Sequence, residues 1–147
     1  LSIYLKIKEG WEKRVLALFK DLGKIGYCKK RSVGKGAFEV STFEPFDRFD
    51  LPEANAFVSL SNFVPAENDP NEGFYKVFVK YGKLGGEYAF SGKPFKRPLM
   101  MLRAGSVFKC DALKPFYGRM VKGLLPEMPE VMHYGYGFSV PVMLGKT

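Results

Sequence analysis

Residues 2–43 read SIYLKIKEGWEKRVLALFKDLGKIGYCKKRSVGKGAFEVSTF, and the hydrophobic period changes twice within this stretch. Ser2–Lys8 alternates between apolar and polar side chains, which is typical of a strand. From residue 11 onward the apolar side chains recur on one helical face, at Trp11, Val15, Leu18 and Leu22. Gly23 suits the end of this helix, and Ala37–Phe43 alternates again as a second strand. The stretch therefore predicts a strand–helix–strand unit.

A basic glycine-rich loop, Gly26–Gly36, lies between the predicted helix and the second strand. Its glycines allow sharp turns and a close approach of the backbone to phosphate, and consecutive amides can surround an anion. Its cations attract an RNA backbone, its serine can donate to a phosphate oxygen or a ribose hydroxyl, and its tyrosine offers a stacking face to a base. The residues predicted to bind RNA in this loop are Gly26, Tyr27, Lys29, Lys30, Arg31, Ser32, Gly34, Lys35 and Gly36.

Two kinds of nucleotide-binding loop are excluded for this segment. A Walker A loop needs Ser or Thr after its Gly-Lys pair, whereas Gly34-Lys35 is followed by Gly36. The dinucleotide-binding fingerprint opens a helix, whereas this loop follows one. A solvated, lysine-rich turn is the alternative interpretation.

Strand-like segments dominate the rest of the chain. Residues 44–55 are acidic and contain two prolines, so they are interpreted as a linker between a first domain, residues 1–43, and a second domain, residues 56–147. Residues 85–98 are predicted to form a loop or hairpin, and residues 111–130 are irregular. The strand candidates of the second domain are Ala56–Leu60, Phe74–Val79, Leu99–Phe108 and Gly137–Val142. The whole pattern predicts an α+β fold with antiparallel sheets.

The net charge of +8 is divided into three blocks. Residues 1–36 carry ten Lys or Arg and three Asp or Glu, residues 37–72 carry one and eight, and residues 73–147 carry twelve and four. This basic–acidic–basic layout indicates a surface that faces a polyanion, although many basic soluble proteins bind no nucleic acid. The acidic residues 44–72 are a candidate protein-facing region, or otherwise a solvated linker.

Few residues suit catalysis or metal binding. Cys28 and Cys110 form no CxxC motif, which predicts reduced thiols, no metal site and no cofactor. His133, the single histidine, stands beside Tyr134 and could serve as an acid or base in RNA cleavage. A packed or surface histidine is the preferred interpretation, so no catalytic residue is predicted. No apolar run approaches the roughly 20 residues of a membrane span.

The run IGYCKKRSVGKGAFEV, residues 25–40, resembles the glycine-rich loop and following strand of RAMP proteins, the ferredoxin-like (RRM-like) RNA-binding subunits of CRISPR systems. Four later segments follow in the order of that family: VSLSNFVP at 58–65, KYGKLG at 80–85, PLMMLRAGSVF at 98–108 and HYGYGFSVPV at 133–142. Together they resemble the C-terminal half of the type III-A (Csm) subunit that binds the 5′ handle of crRNA. The loop has fewer glycines than the family pattern, and His133 stands where the family has arginine.

This resemblance implies a RAMP fold whose first domain is incomplete at the N-terminus, since residues 1–43 match the second half of a ferredoxin-like βαββαβ unit. It implies a non-catalytic scaffold that captures the crRNA 5′ handle in the cytoplasm and serves antiviral defence. The expected protein partners are the large polymerase-like CRISPR subunit and a backbone RAMP subunit, with no membrane. Further RNA contacts are expected in the second domain, at Arg97, Arg103, His133 and Tyr134. The alternatives are a crRNA-processing endoribonuclease of the RAMP class and a nucleic-acid-binding domain unrelated to CRISPR.

Overall fold

A computed structural model describes residues 1–27, 36–84 and 94–145. The chain divides into two compact units, Leu1–Arg48 and Phe49–Thr147. The boundary between them falls within residues 44–55, the stretch predicted as a linker.

The first unit contains helix α1, Glu12–Ile25. Glu12 in its first turn and Lys24 in its last turn both suit the helix dipole. The helix ends at Gly26, whose φ of +85° favours glycine and whose backbone N–H donates to the carbonyl of Leu22 at 2.8 Å. A helix over these residues was predicted, and it is confirmed with an end three residues further along.

Gly23 was predicted to end the helix, and this was wrong. It lies inside α1 and is buried, and a Cβ there would come 2.2 Å from the carbonyl oxygen of Phe38. The backbone N–H of Phe38 also donates to the carbonyl of Gly23, at 3.2 Å. The glycine is therefore explained by the close approach of a second chain segment to the helix.

The two strands predicted for the first unit were also wrong. Within the described residues, neither Ser2–Lys8 nor Ala37–Phe43 pairs with another strand. Alternation along a segment predicts which side chains share a face, but a strand also needs a neighbour that supplies N–H and C=O groups. The described part of this unit is one helix with the segments around it, and the rings of Tyr4 and Phe46 pack 4.7 Å apart.

The second unit is built from short antiparallel strands. In chain order the described strands are β1 (Ala56–Ser59), β2 (Gly73–Phe74), β3 (Val77–Lys80), β4 (Leu99–Leu102), β5 (Val107–Lys109), β6 (Tyr117–Val121), β7 (His133–Gly137) and β8 (Ser139–Val142). They form a four-stranded sheet in the order β2-β5-β1-β8 and two-stranded sheets of β3 with β4 and of β6 with β7. All their pairings are antiparallel. The predicted α+β class with antiparallel sheets is confirmed.

Three strand predictions needed correction. Phe74–Val79 is divided between β2 and β3, and Leu99–Phe108 is divided between β4 and β5. The second division is a turn at Gly105, where φ is +86°. Residues 111–130 were predicted to be irregular, yet they contain β6.

The strand β6 escaped prediction because of the glycine at its second position. Gly118 has a φ of +97°, and a Cβ there would lie 2.3 Å from the carbonyl oxygen of Gly135 in β7. Glycine in a strand interior usually indicates weak pairing, but it also permits such a close approach of two backbones. By contrast, the predicted strands at Ala56–Leu60 and Gly137–Val142 are confirmed as β1 and β8.

Two apolar clusters form the core of the second unit. The first contains Phe57, Phe63, Leu102, Phe108 and Tyr117, with half-buried Cys110 packed against it. The ring of Tyr117 stacks on Phe57 at 3.7 Å, and burial raises the pKa of Tyr117 to about 12. The second cluster contains Val64, Met101, Val121 and Leu124, with Phe78 and Leu99 against it.

Candidate nucleic-acid interface

A small cavity of about 120 Å³ lies beside the second apolar cluster. Leu99 and Leu124 contribute to both the cluster and the cavity wall, so part of the cavity lining is apolar. We call it the basic pocket, and its lining residues are Lys80, Gly82, Lys83, Lys96, Arg97, Leu99, Leu124 and His133. Four basic residues and two leucines therefore line the same cavity.

Backbone pairing brings these cations together. Lys80 is the last residue of β3 and pairs with Leu99 of β4. The same two chain segments stay paired beyond those strands, because the backbone N–H of Lys96 donates to the carbonyl of Gly82 at 2.9 Å and Lys83 bridges to Phe95. The pocket thus lies where the pairing between the two chain segments continues beyond the ends of β3 and β4.

A second connection ties the pocket to the β6–β7 sheet. The backbone N–H of Arg97 donates to the carbonyl of Leu124 at 2.9 Å, in the segment between β6 and β7. His133 is the first residue of β7 and pairs with Val121. Residues far apart in sequence therefore meet at this pocket because two sheets meet there.

His133 occupies an unusual position in the pocket. Its Nε2 atom is buried and has no hydrogen-bond partner within residues 1–27, 36–84 and 94–145. Burial lowers the pKa of His133, and the positive charges of Lys80 and Lys96 lower it further. A lowered pKa favours the neutral imidazole at neutral pH.

Two lysines of the second unit outside the pocket pair with carboxylates: Lys109 with Glu72 at 2.6 Å and Lys114 with Asp69 at 3.4 Å. No comparable partner within 4 Å is found for Lys80, Lys83 or Lys96 among the residues that the structure describes. Their charge is consequently available to an external anion.

Exposed aromatic rings lie along the same hairpin. The ammonium group of Lys83 is 5.8 Å from the ring centre of Phe95, which is 69% exposed. Tyr81, between two pocket residues in sequence, is 77% exposed. Cations interleaved with exposed rings suit a single-stranded nucleic acid, since the cations meet phosphates while bases stack on the rings.

Of the four RNA contacts predicted in the second domain, two lie at the basic pocket and two lie elsewhere. Arg97 and His133 line the pocket together. Arg103 lies elsewhere, in the turn after β4, with its guanidinium 5.7 Å from the ring of Phe78. Tyr134 follows His133 on a strand, so its side chain points to the opposite face, where its ring is 5.4 Å from Tyr136. His133 and Tyr134 therefore lie on opposite faces of the strand and do not form the acid–base pair considered for RNA cleavage.

The glycine-rich loop is described only at its two ends. There the backbone N–H of Tyr27 donates to the carbonyl of Gly36 at 2.9 Å, so the loop is closed at its base. Gly36 has a φ of +85°, and a Cβ there would lie 2.1 Å from the carbonyl oxygen of Tyr27. The ring of Tyr27 is 65% exposed. The predicted RNA contacts outside the described residues are Lys29, Lys30, Arg31, Ser32, Gly34 and Lys35.

Three lysines of the pocket, Lys80, Lys83 and Lys96, were not predicted as site residues. Their sequence signal was the KYGKLG turn, in which two lysines flank a glycine, followed by a Lys-Arg pair before the next strand. Only pairing across the hairpin shows that these two signals belong to one site. Among the described residues, no group of His, Cys, Asp and Glu could hold a metal ion.

Comparison with known proteins gives no family assignment: no family model matches the chain, and no curated protein matches it. In the described part of the chain, no helix has the length and apolar character needed to cross a bilayer.

Proposed function

We propose that this protein is a non-catalytic RNA-binding scaffold subunit of a type III CRISPR interference complex, which captures the 5′ handle of crRNA. The observation that carries the proposal is the convergence of Lys80, Lys83, Lys96 and Arg97 on one pocket without a described carboxylate partner. Each phosphate that such cations neutralise releases counterions, which favours binding of a polyanion.

The closed base of the glycine-rich loop supports a second contact region. Residues 28–35 connect two positions whose backbones are hydrogen bonded, Tyr27 and Gly36, and they carry four Lys or Arg. The exposed ring of Tyr27 beside these residues can stack on a base, which is worth about 1–3 kcal/mol in single-strand binders.

The finer parts of the proposal rest on the order of the family-like segments. They are the ferredoxin-like RAMP fold of both domains, cytoplasmic localisation and a role in antiviral defence. They also include docking of the large polymerase-like subunit on one side and of a backbone RAMP subunit on the other. The antiparallel sheets and the helix are compatible with a ferredoxin-like architecture.

The identity of the RNA is tested by what the full chain carries when it is expressed in a cell with a type III CRISPR array. A co-purified population of small RNAs with one constant 5′ end is expected. RNA of random sequence and length would contradict handle capture while leaving general RNA binding intact.

The contribution of the loop is tested by the double substitution of Lys30 and Arg31 with alanine. Loss of two phosphate contacts is expected to reduce the slope of log affinity against log salt concentration by about 1.4 for single-stranded RNA. The matched control is the double substitution of Lys109 and Lys114, whose charges already pair with carboxylates. Equal slopes for wild type and the loop variant would contradict the assignment of the loop.

An endoribonuclease is the second candidate, and the neutral imidazole of His133 favours it, since a neutral histidine can accept a proton. The test is incubation of the full chain with CRISPR repeat RNA in the absence of metal. The scaffold function predicts intact RNA. Site-specific cleavage that His133→Ala abolishes would replace the scaffold with a processing enzyme.

A further inference from the structure

The strand β3 has one paired edge and one open edge. It pairs with β4, and these two strands form a sheet by themselves. The far edge of β4 is partly occupied, because the N–H and C=O groups of Leu102 both bond to the backbone of Phe63. Among the described residues, no strand pairs with the far edge of β3. An open sheet edge therefore lies along β3.

The hydrogen bonds of the hairpin identify the residues of β3 that face this open edge. In an antiparallel pair, residues that bond each other alternate with residues whose N–H and C=O groups point away from the partner strand. Leu102 directs its groups away from its partner in β3, Val77. One residue further on, the N–H of Arg103 donates to the carbonyl of Lys76 at 2.9 Å, as the alternation requires. Val77 and Val79 therefore direct their N–H and C=O groups to the open edge.

The side chains along the open edge are apolar and accessible. Val77 and Val79 are 48% and 47% exposed. They lie on the face opposite Phe78, which packs against the second apolar cluster. An edge strand with exposed apolar side chains and free backbone groups is a template for pairing with another chain.

Other edge strands of the second unit have features that prevent such pairing. The strand β2 has only two residues, and β8 contains Pro141, which has no N–H to donate. In β6 the N–H of Gly118 is occupied by the carboxylate of Asp69. The strand β3 has four residues and no proline. Its edge is therefore available to a partner.

The charge around β3 indicates which partner fits this edge. Lys76 and Lys80 lie on one face of the chain, on either side of Phe78, and residues 73–86 contain no Asp or Glu. A second copy of this chain would bring the same lysines to both strands, and like charges across two strands oppose pairing. Acidic side chains opposite the lysines would favour pairing. A nucleic acid has no regular ladder of N–H and C=O groups to match a strand edge.

We propose that the open edge of β3 binds an extended segment of a partner protein in which apolar and acidic side chains alternate. The segment adds an antiparallel strand to the β3–β4 sheet, with backbone bonds to Val77 and Val79. Its apolar side chains lie beside the two valines, and its acidic side chains lie beside Lys76 and Lys80. This inference goes beyond the proposed function and does not depend on the identity of the RNA. Lys80 also lines the basic pocket, so the segment and RNA share one cation.

The test adds synthetic peptides to the full chain. The probe alternates valine and glutamate over about eight residues, a usual strand length, and the matched charge control has lysine in place of glutamate. Two further probes carry N-methyl groups, either on the valines or on the glutamates. In the proposed pairing the valines of the probe donate to β3, so methylation of the valines removes the required N–H groups and methylation of the glutamates leaves them.

The measured quantity is the exchange of backbone amide protons with solvent, followed by NMR. With the valine–glutamate probe at about ten times its dissociation constant, only about one protein molecule in eleven is free. Exchange at Val77 and Val79 should therefore slow about tenfold. The amide of Phe78 faces β4 and should not change. The probe methylated on glutamate should act like the unmodified one, whereas the lysine probe and the probe methylated on valine should have no effect.

Several outcomes would overturn the inference. One is unchanged exchange at Val77 and Val79 with the valine–glutamate probe, and another is equal protection by the lysine probe. Equal protection by both methylated probes would exclude strand addition. Protection that rises with protein concentration, without any probe, would assign the edge to a second copy of the chain. Protection by handle RNA alone would assign the edge to RNA binding.

Discussion

The two basic regions of the molecule are assembled in different ways. The glycine-rich loop carries its charges consecutively, between the hydrogen-bonded positions Tyr27 and Gly36. The basic pocket collects its four cations from residues 80–97, which pairing of β3 with β4 brings together, and its histidine from β7, which pairs with β6. The loop depends on backbone conformation at its base, whereas the pocket depends on long-range packing. Substitutions that damage one type of support should therefore leave the other region intact.

The largest expected effect concerns the base of the loop. Gly36→Ala forces a left-handed backbone on alanine and drives a Cβ against the carbonyl of Tyr27, 2.1 Å away. We expect a loss of roughly 2–4 kcal/mol in the free energy of unfolding of the first unit. Urea titration followed by fluorescence of Trp11, the only tryptophan, measures it.

The matched control for the loop is Gly10→Ala. Gly10 has nearly the same φ, +83°, but a Cβ added there would meet no described atom within 4 Å. Only the left-handed strain remains there, about 1–2 kcal/mol. Equal losses for the two variants would show that the close approach at Gly36 does not support the loop.

The next largest effect concerns Asp69, which stabilises β6, the strand that pairs with β7 and so positions His133 at the pocket. The buried carboxylate of Asp69 accepts hydrogen bonds from the backbone N–H groups of Ala66 and Gly118, at 2.8 and 2.7 Å. Asp69→Ala leaves the N–H of Gly118 in β6 unpaired and should lower the free energy of unfolding of the second unit by about 1–3 kcal/mol. Near-ultraviolet circular dichroism of the core aromatic residues follows this unfolding.

The control for Asp69 is Asp111→Ala, at an exposed position of the same unit. Its effect should lie within about 0.5 kcal/mol. RNA contacts of the loop should survive both substitutions. If Asp69→Ala leaves the stability of the second unit unchanged, β6 is not held by this carboxylate.

The smallest expected effect is the pH dependence of the pocket. The folded-state pKa of His133 lies below its unfolded value of about 6.5. Between these two values the unfolded chain binds more protons than the folded protein, so stability falls as the pH decreases through this window. His133→Gln should flatten this part of the profile, measured by urea unfolding from pH 7.5 to 5. A wild-type profile with the same slope as His133→Gln would contradict the lowered pKa.

The helix, β1 and β8 could be predicted from the sequence because each has a local signature. In α1 it is the helical repeat of Trp11, Val15 and Leu22, and in β1 it is the apolar run around Phe57. The first-unit strands failed because alternation does not report a pairing partner. The strand β6 was missed because Gly118 resembles a break, whereas it permits close contact with β7.

The candidate site was predicted only in part, for a similar reason. Arg97 and His133 were selected as separate residues, and the structure brings them to one pocket with Lys80 and Lys96. That proximity depends on the backbone bond from Lys96 to Gly82 and on the pairing at His133. Contacts over such sequence distances leave no local pattern.

The most direct test of RNA binding by both basic regions is a four-way comparison of salt dependence. Affinity for single-stranded handle RNA is measured over a salt series for wild type, Lys30→Ala/Arg31→Ala, Lys80→Ala/Lys96→Ala and the quadruple variant. If both regions hold RNA phosphates, each pair should reduce the slope of log affinity against log salt by about 1.4, and the quadruple variant by about 2.8. Four parallel lines would contradict the account.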